Sequence, residues 1–104
     1  MKFFRTEAGN EPVREFLRDL RPEDRKIIGI DIKEIQFGWP LGMPLVRKME
    51  KGLWEVRSHL ENRISRVLFT VAGSQIVLLH ALIKKSEKMP QTDLEIAKTR
   101  KNQL

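Results

Sequence analysis

The sequence predicts an α+β domain: a small antiparallel sheet with an N-terminal helical hairpin packed on one face, and a short C-terminal helix. Three observations predict it. Apolar residues recur at helical spacing early in the chain, at Val13, Phe16, Leu17 and Leu20, then at Ile27, Ile28, Ile32 and Ile35. The segment 38–44 then breaks the pattern with Gly38, Pro40, Gly42 and Pro44. Beyond it the apolar period is that of strands, and the runs are joined by short links, as in an antiparallel meander.

Taken in order, Lys2 to Thr6 reads as a short opening strand with Phe3 and Phe4 on opposite faces. Asn10 suits an N-cap, Glu11 the positive end of a helix and Pro12 its first turn, so a helix is expected over 11–20. Pro22 breaks that helix and opens a second, with Glu23 and Asp24 in its first turn and its end near Gly38. Strands are expected over 45–49, 53–57, 64–72 and 75–84, with turns at Gly52 and at Gly73-Ser74 and a polar loop over 58–63. A last helix is expected over 92–100. Thr92 and Glu95 form a candidate capping box, and Lys98, Arg100 and Lys101 lie where a helix C-terminus favours positive charge. With the hairpin on one face of the sheet, the other face is left for another purpose.

Composition narrows what that purpose is. The chain has 104 residues, the length of one domain, 1–104. Its 20 Lys and Arg against 14 Asp and Glu give a net charge of +6, and a surface that favours nucleic acid, an anionic membrane or an acidic protein. Cysteine is absent, which excludes disulfides, thiolate zinc sites and thiol catalysis and fits a cytoplasmic protein. Tyrosine is absent too, so no phenol serves as an acid. The start of the chain lacks the apolar core of a secretory signal, and the longest apolar run, 76–83, is too short to cross a bilayer. With two His and scattered carboxylates, no metal site and no cofactor are expected.

The cations fall at strand positions. Glu55 and Arg57 share one face of their strand, with Trp54 and Val56 on the other. Strict alternation in the last strand sets Leu78, His80, Leu82 and Lys84 against Val77, Leu79, Ala81, Ile83 and Lys85. A meander of suitable register brings Arg57, Arg66, Lys84 and Lys85 into one concave patch, a setting for phosphate. A single Lys or Arg on such a sheet is ordinarily solvated surface; the clustering carries the argument. His80, inside an apolar run, reads as a core or edge histidine with a hydrogen-bond partner. His59, in a polar segment, is freer to act as an acid or base. Trp39 and Trp54 read as core anchors.

The stretches Gly52-Leu53-Trp54-Glu55-Val56-Arg57, Arg63-Ile64-Ser65-Arg66-Val67-Leu68-Phe69 and Val77 to Pro90, with its L-L-H-x-x-x-K-K-S-x-K-x-P pattern, resemble the RelE/HigB-like toxins of the RelE/ParE superfamily. Residues 37–44 and 93–98 resemble its phage-derived branch in particular. The resemblance spans about two-thirds of the chain in order. It implies a RelE/ParE-like fold and the toxin of a type II toxin–antitoxin pair: a metal-independent, ribosome-dependent mRNA endoribonuclease. The implied partners are a cognate antitoxin protein, mRNA and the ribosome. No membrane and no small-molecule cofactor is implied.

Carried over by position, the resemblance gives Arg57, Arg66, Lys84 and Lys85 as the catalytic set. Arg57 and Arg66 would bind phosphate and stabilise charge, and Lys84 or Lys85 would bind RNA or move a proton. Arg63, Lys88 and His59 are second-rank RNA-binding candidates. Two departures stand out. Ala81-Leu82 replaces the Gly-Phe often found after the histidine, and no Tyr or His follows His80, which leaves His59, a lysine or no residue at all as the acid. Two other functions suit a basic domain of this kind: a ParE-like gyrase poison, and a non-catalytic basic module that binds nucleic acid or protein.

Overall fold

The computed structural model describes residues 1–39 and 46–104. The elements run β1 (Lys2–Phe3), α1 (Pro12–Arg18), α2 (Pro22–Gly38), β2 (Val46–Glu50), β3 (Leu53–Leu60), β4 (Arg63–Ala72), β5 (Gln75–Ile83) and α3 (Gln91–Asn102). Most of the expected 38–44 loop lies outside the described residues, as does Leu45. The strands form one sheet in the order β1-β5-β4-β3-β2. Four of them make the antiparallel meander, and β1 adds to its edge parallel to β5, with Phe3 opposite Leu78.

Local chemistry explains the bounds. Both hairpin helices begin at a proline, whose missing N–H costs nothing at a helix start. Arg21, the residue before Pro22, is extended at φ −61° and ψ 149°, so α1 stops at Arg18 rather than running to 20. Neither expected side-chain cap forms. Glu11, not Asn10, precedes α1, and α3 starts at Gln91 behind Pro90 without a Thr92 cap. The segment expected as a loop over 58–63 is mostly strand: β3 continues to Leu60 and β4 begins at Arg63. The two-residue turn between them is possible because Asn62 takes a left-handed φ of 62°, which asparagine tolerates better than most residues.

The hairpin covers one face of the sheet. Val13, Ile28, Ile32 and Ile35 meet Val56, Leu60, Val67, Phe69, Ile76 and Leu78 in one apolar core. Trp39, Trp54 and Phe69 pack beside it, with the two indole rings edge to face at 4.9 Å between centroids, so both tryptophans anchor packing. Asp24, buried at the start of α2, accepts from Arg63 Nη2 at 3.0 Å and joins the hairpin to the β3–β4 turn.

The opposite face is divided in two. At one end α3 lies across it, and Ala97 and Leu94 pack with Phe4, Leu53, Leu68, Val77 and Leu79. The other end has no helix over it among the described residues. The alternation expected in β5 fails at one point. Leu68 pairs with His80 and Phe69 with Leu78, so Leu79 is an extra residue, a β-bulge. Leu78 therefore faces the hairpin core, while His80 and, from the same register, Leu82 and Lys84 face the other way.

Candidate nucleic-acid interface

The part of the sheet left uncovered by α3 is where the sequence-distant cations meet. The register sets Arg57 opposite Arg66, and Arg66 opposite Leu82. Two residues on, the Lys84 N–H donates to Ile64 O at 2.7 Å and keeps Lys84 alongside β4. Arg47 of β2 pairs with Glu55 and joins from the other side. One sheet face thus gathers Arg47, Glu55, Arg57, Arg66 and Lys84.

At the bottom of this group lies a buried ion pair. Arg66 Nε donates to Glu55 Oε2 at 2.6 Å and its Nη2 to Oε1 at 3.2 Å, with 1% and 0% of the two side chains exposed. Arg57, partly exposed, holds its Nε 3.8 Å from the same carboxylate. Arg57 Nε and Arg66 Nη1 are buried with no hydrogen-bond partner among the described residues. Arg66, expected to bind phosphate, is placed below the other cations. Its guanidinium lies beneath the surface, paired in a fork that only arginine makes.

Lys84 Nζ donates to Glu87 Oε1 at 3.0 Å. Glu87 is held below the usual carboxylate range, first by that bond and by the Lys84 charge, then by Arg57 and Arg47. Glu87 thus stands near all three of these cations. Next to it is an open cleft of about 500 Å³ lined by Asn62, Arg63, Ile64, Lys84, Lys85 and Ser86, among others.

The remaining expected residues are distributed as follows. Lys85 is exposed beside Lys84 at the cleft, and Lys88 is exposed farther along the same segment. His59 is exposed on β3, two residues beyond Arg57 and so on the basic face, but on a strand rather than a loop. Arg63 points the other way, toward Asp24, although it borders the cleft. His80 is structural: its Nε2 lies 2.7 Å from Asp93 Oδ1, and Arg100 Nη1 lies 3.4 Å from its Nδ1. Arginine only donates, so Nδ1 accepts and Nε2 carries the proton toward Asp93. Sequence reasoning missed Glu55, Arg47 and Glu87 as members of the site. The two-residue spacing of Glu55 and Arg57 put them on one face, but only the register supplied Arg66 and Arg47 as neighbours.

Comparison with known proteins adds the family. The model of the family described as "Phage derived protein Gp49-like (DUF891)" matches residues 15–102, nearly the whole chain. This chain belongs to the Gp49-like family. Among curated proteins, the "Probable endoribonuclease HigB1" of Mycobacterium tuberculosis is 29% identical over 96 residues, in strains CDC 1551 / Oshkosh and ATCC 25618 / H37Rv alike. That alignment covers 92% of this chain and 77% of the relative. The Gp49-like match and the HigB1 relative bear out the resemblance to the phage-derived branch of the RelE/HigB-like toxins. No described helix is long and apolar enough to cross a membrane.

Proposed function

We propose that this Gp49-like chain is, over 1–104, the toxin of a type II toxin–antitoxin pair and cuts mRNA on the ribosome, without a metal ion. The observation that carries the reading is the convergence of Arg47, Arg57 and Lys84 on the sheet face that α3 leaves uncovered. The name of the HigB1 relative supports the endoribonuclease chemistry.

Cleavage of this kind transfers the proton of a ribose 2′-OH to a base as its oxygen attacks the adjacent phosphorus. The 5′-oxygen of the next nucleotide leaves and takes a proton from an acid. The products are a 2′,3′-cyclic phosphate and a 5′-hydroxyl. Negative charge on the phosphorane oxygens is greatest in the transition state, where preorganised cations lower the barrier most. Arg57 is placed to supply that charge, with Arg47 beside it. Lys84 or Lys85 binds the backbone or moves a proton, and His59, exposed on the same face, is the candidate acid. Arg63 and Lys88 meet RNA only at the margin of the face. Arg66 acts from below, through its pair with Glu55. The partners in this reading are mRNA in the ribosome and an antitoxin protein whose acidic segment covers the basic face.

The test is inducible expression in bacteria with primer extension on a reporter mRNA, comparing wild type with Arg57→Ala/Lys84→Ala. Growth arrest with codon-spaced cuts is expected, and the double substitution should lower cutting by about 100-fold or more, the scale of removing one or two charge-stabilising groups. Arrest without cuts would replace this reading by a gyrase poison. No arrest would replace it by a non-catalytic binding module.

A further inference from the structure

Beneath the basic face, one buried carboxylate serves two guanidiniums. Glu55, fully buried, accepts two hydrogen bonds from Arg66 across the strand pair and lies 3.8 Å from Arg57 Nε on its own strand. The group therefore has one more positive charge than negative, and Arg66 Nη1 and Arg57 Nε are buried without partners among the described residues. Two buried N–H groups without partners are costly to maintain, and the charge in excess sits on Arg57, whose side chain is partly exposed and open to an anion. A salt bridge serving only to join β3 to β4 would need one arginine, not two.

We propose that Glu55 is the positioning residue of this site: its carboxylate, fixed by the buried Arg66 fork, holds the partly exposed Arg57 side chain where its guanidinium meets the oxygens of a phosphate group. That the phosphate belongs to RNA rests on the reading above; the anion site itself does not. Simple Coulomb reasoning predicts the opposite effect of neutralising Glu55. Removing a negative charge raises the local positive potential and should tighten anion binding. Positioning predicts weaker binding in spite of that gain, so the sign separates the two.

The experiment titrates the purified full chain with inorganic phosphate and follows the arginine Nε–H resonances by NMR, for wild type, Glu55→Gln and Glu55→Asp, each checked for folding by thermal unfolding. The expected result is a saturable response at Arg57 in wild type. Phosphate should bind at least about tenfold more weakly to Glu55→Gln, equivalent to about 1.4 kcal/mol, with Glu55→Asp between the two. Should Glu55→Gln not fold, Glu55→Asp carries the comparison, and the wild-type response stands by itself. No response at Arg57 in wild type, or equal or tighter binding in a folded variant, would overturn the proposal. Primer extension run in parallel separates it from the function. Glu55-dependent phosphate binding in a wild-type protein that makes no cuts keeps the positioning role and discards the nuclease. Cuts that persist in Glu55→Gln, with phosphate affinity unchanged, do the reverse.

Discussion

Asp24 is the carboxylate on which the hairpin and the β3–β4 turn meet, and its ionisation is therefore a matter of stability. Its pKa is lowered, chiefly by the hydrogen bond from Arg63 and then by Arg21, against the opposing effect of burial. The stabilisation is present above the unfolded-state value of about 3.9 and is lost as the pH falls through the lower folded value. Asp24→Asn should unfold at lower urea than wild type at pH 7, and the gap should close as the pH is taken below about 3.9; a gap constant from pH 7 to 3 would exclude this role. Arg66 raises a different issue. Arg66→Ala leaves the Glu55 carboxylate buried without its fork, a loss of about 3–5 kcal/mol. Glu55→Gln/Arg66→Met removes both charges and should recover much of that in a urea-unfolding cycle. Loss of RNA cutting in Arg66→Ala alone would thus report folding rather than chemistry, which makes Arg57 and Lys84 the better probes.

Among the elements, α3 is fastened to the sheet largely by polar groups. His80–Asp93, Arg100 Nη1 to Leu79 O at 2.8 Å and Lys98 beside Glu50 tie it down, around a small apolar seam at Leu94 and Ala97. Asp93→Ala should speed hydrogen exchange of the α3 amides while β4 keeps its protection; an equal rise in β4 would make α3 integral to the sheet. Ala97→Leu, at a position with no exposure, should lower stability by about 1–3 kcal/mol, read from the thermal midpoint. These elements were unequally legible in the sequence. The α2 stripe Ile28–Ile32–Ile35 and the prolines at both helix starts were plain, because period and backbone restriction are local properties. The parallel placement of β1, the reach of β3 to Leu60 and the bulge at Leu79 were not, because each depends on a partner strand far away in sequence. The same limit explains the site: Arg57, Lys84 and Lys85 could be named from resemblance, but Glu55 and Arg47 become neighbours only once the register is known.

For the whole molecule, the net charge of +6 predicts that binding of single-stranded RNA weakens steeply with salt. Arg57→Ala/Lys84→Ala should lower the magnitude of the log–log salt slope by about 1.4, at roughly 0.7 for each phosphate no longer neutralised, measured by fluorescence anisotropy across salt concentrations. An unchanged slope would move the phosphate-binding groups elsewhere on the surface. Which side of the sheet carries Lys84 is decided by counting parity along β5. Leu79, as one residue without an opposite number, shifts everything after it by one step, so Lys84 emerges among the arginines and His80 under α3. Were Leu79 paired as in an unbulged strand, the same amino acids would turn Lys84 toward the hairpin core and Ile83 to the basic face. Deleting Leu79 itself would leave Leu78 opposite Phe69 and His80 opposite Leu68 and so keep both faces, whereas deleting a paired residue such as Ala81 would turn Lys84 to the hairpin side; the turns at Gly73 and Asn62 can lengthen without changing which residues face which side.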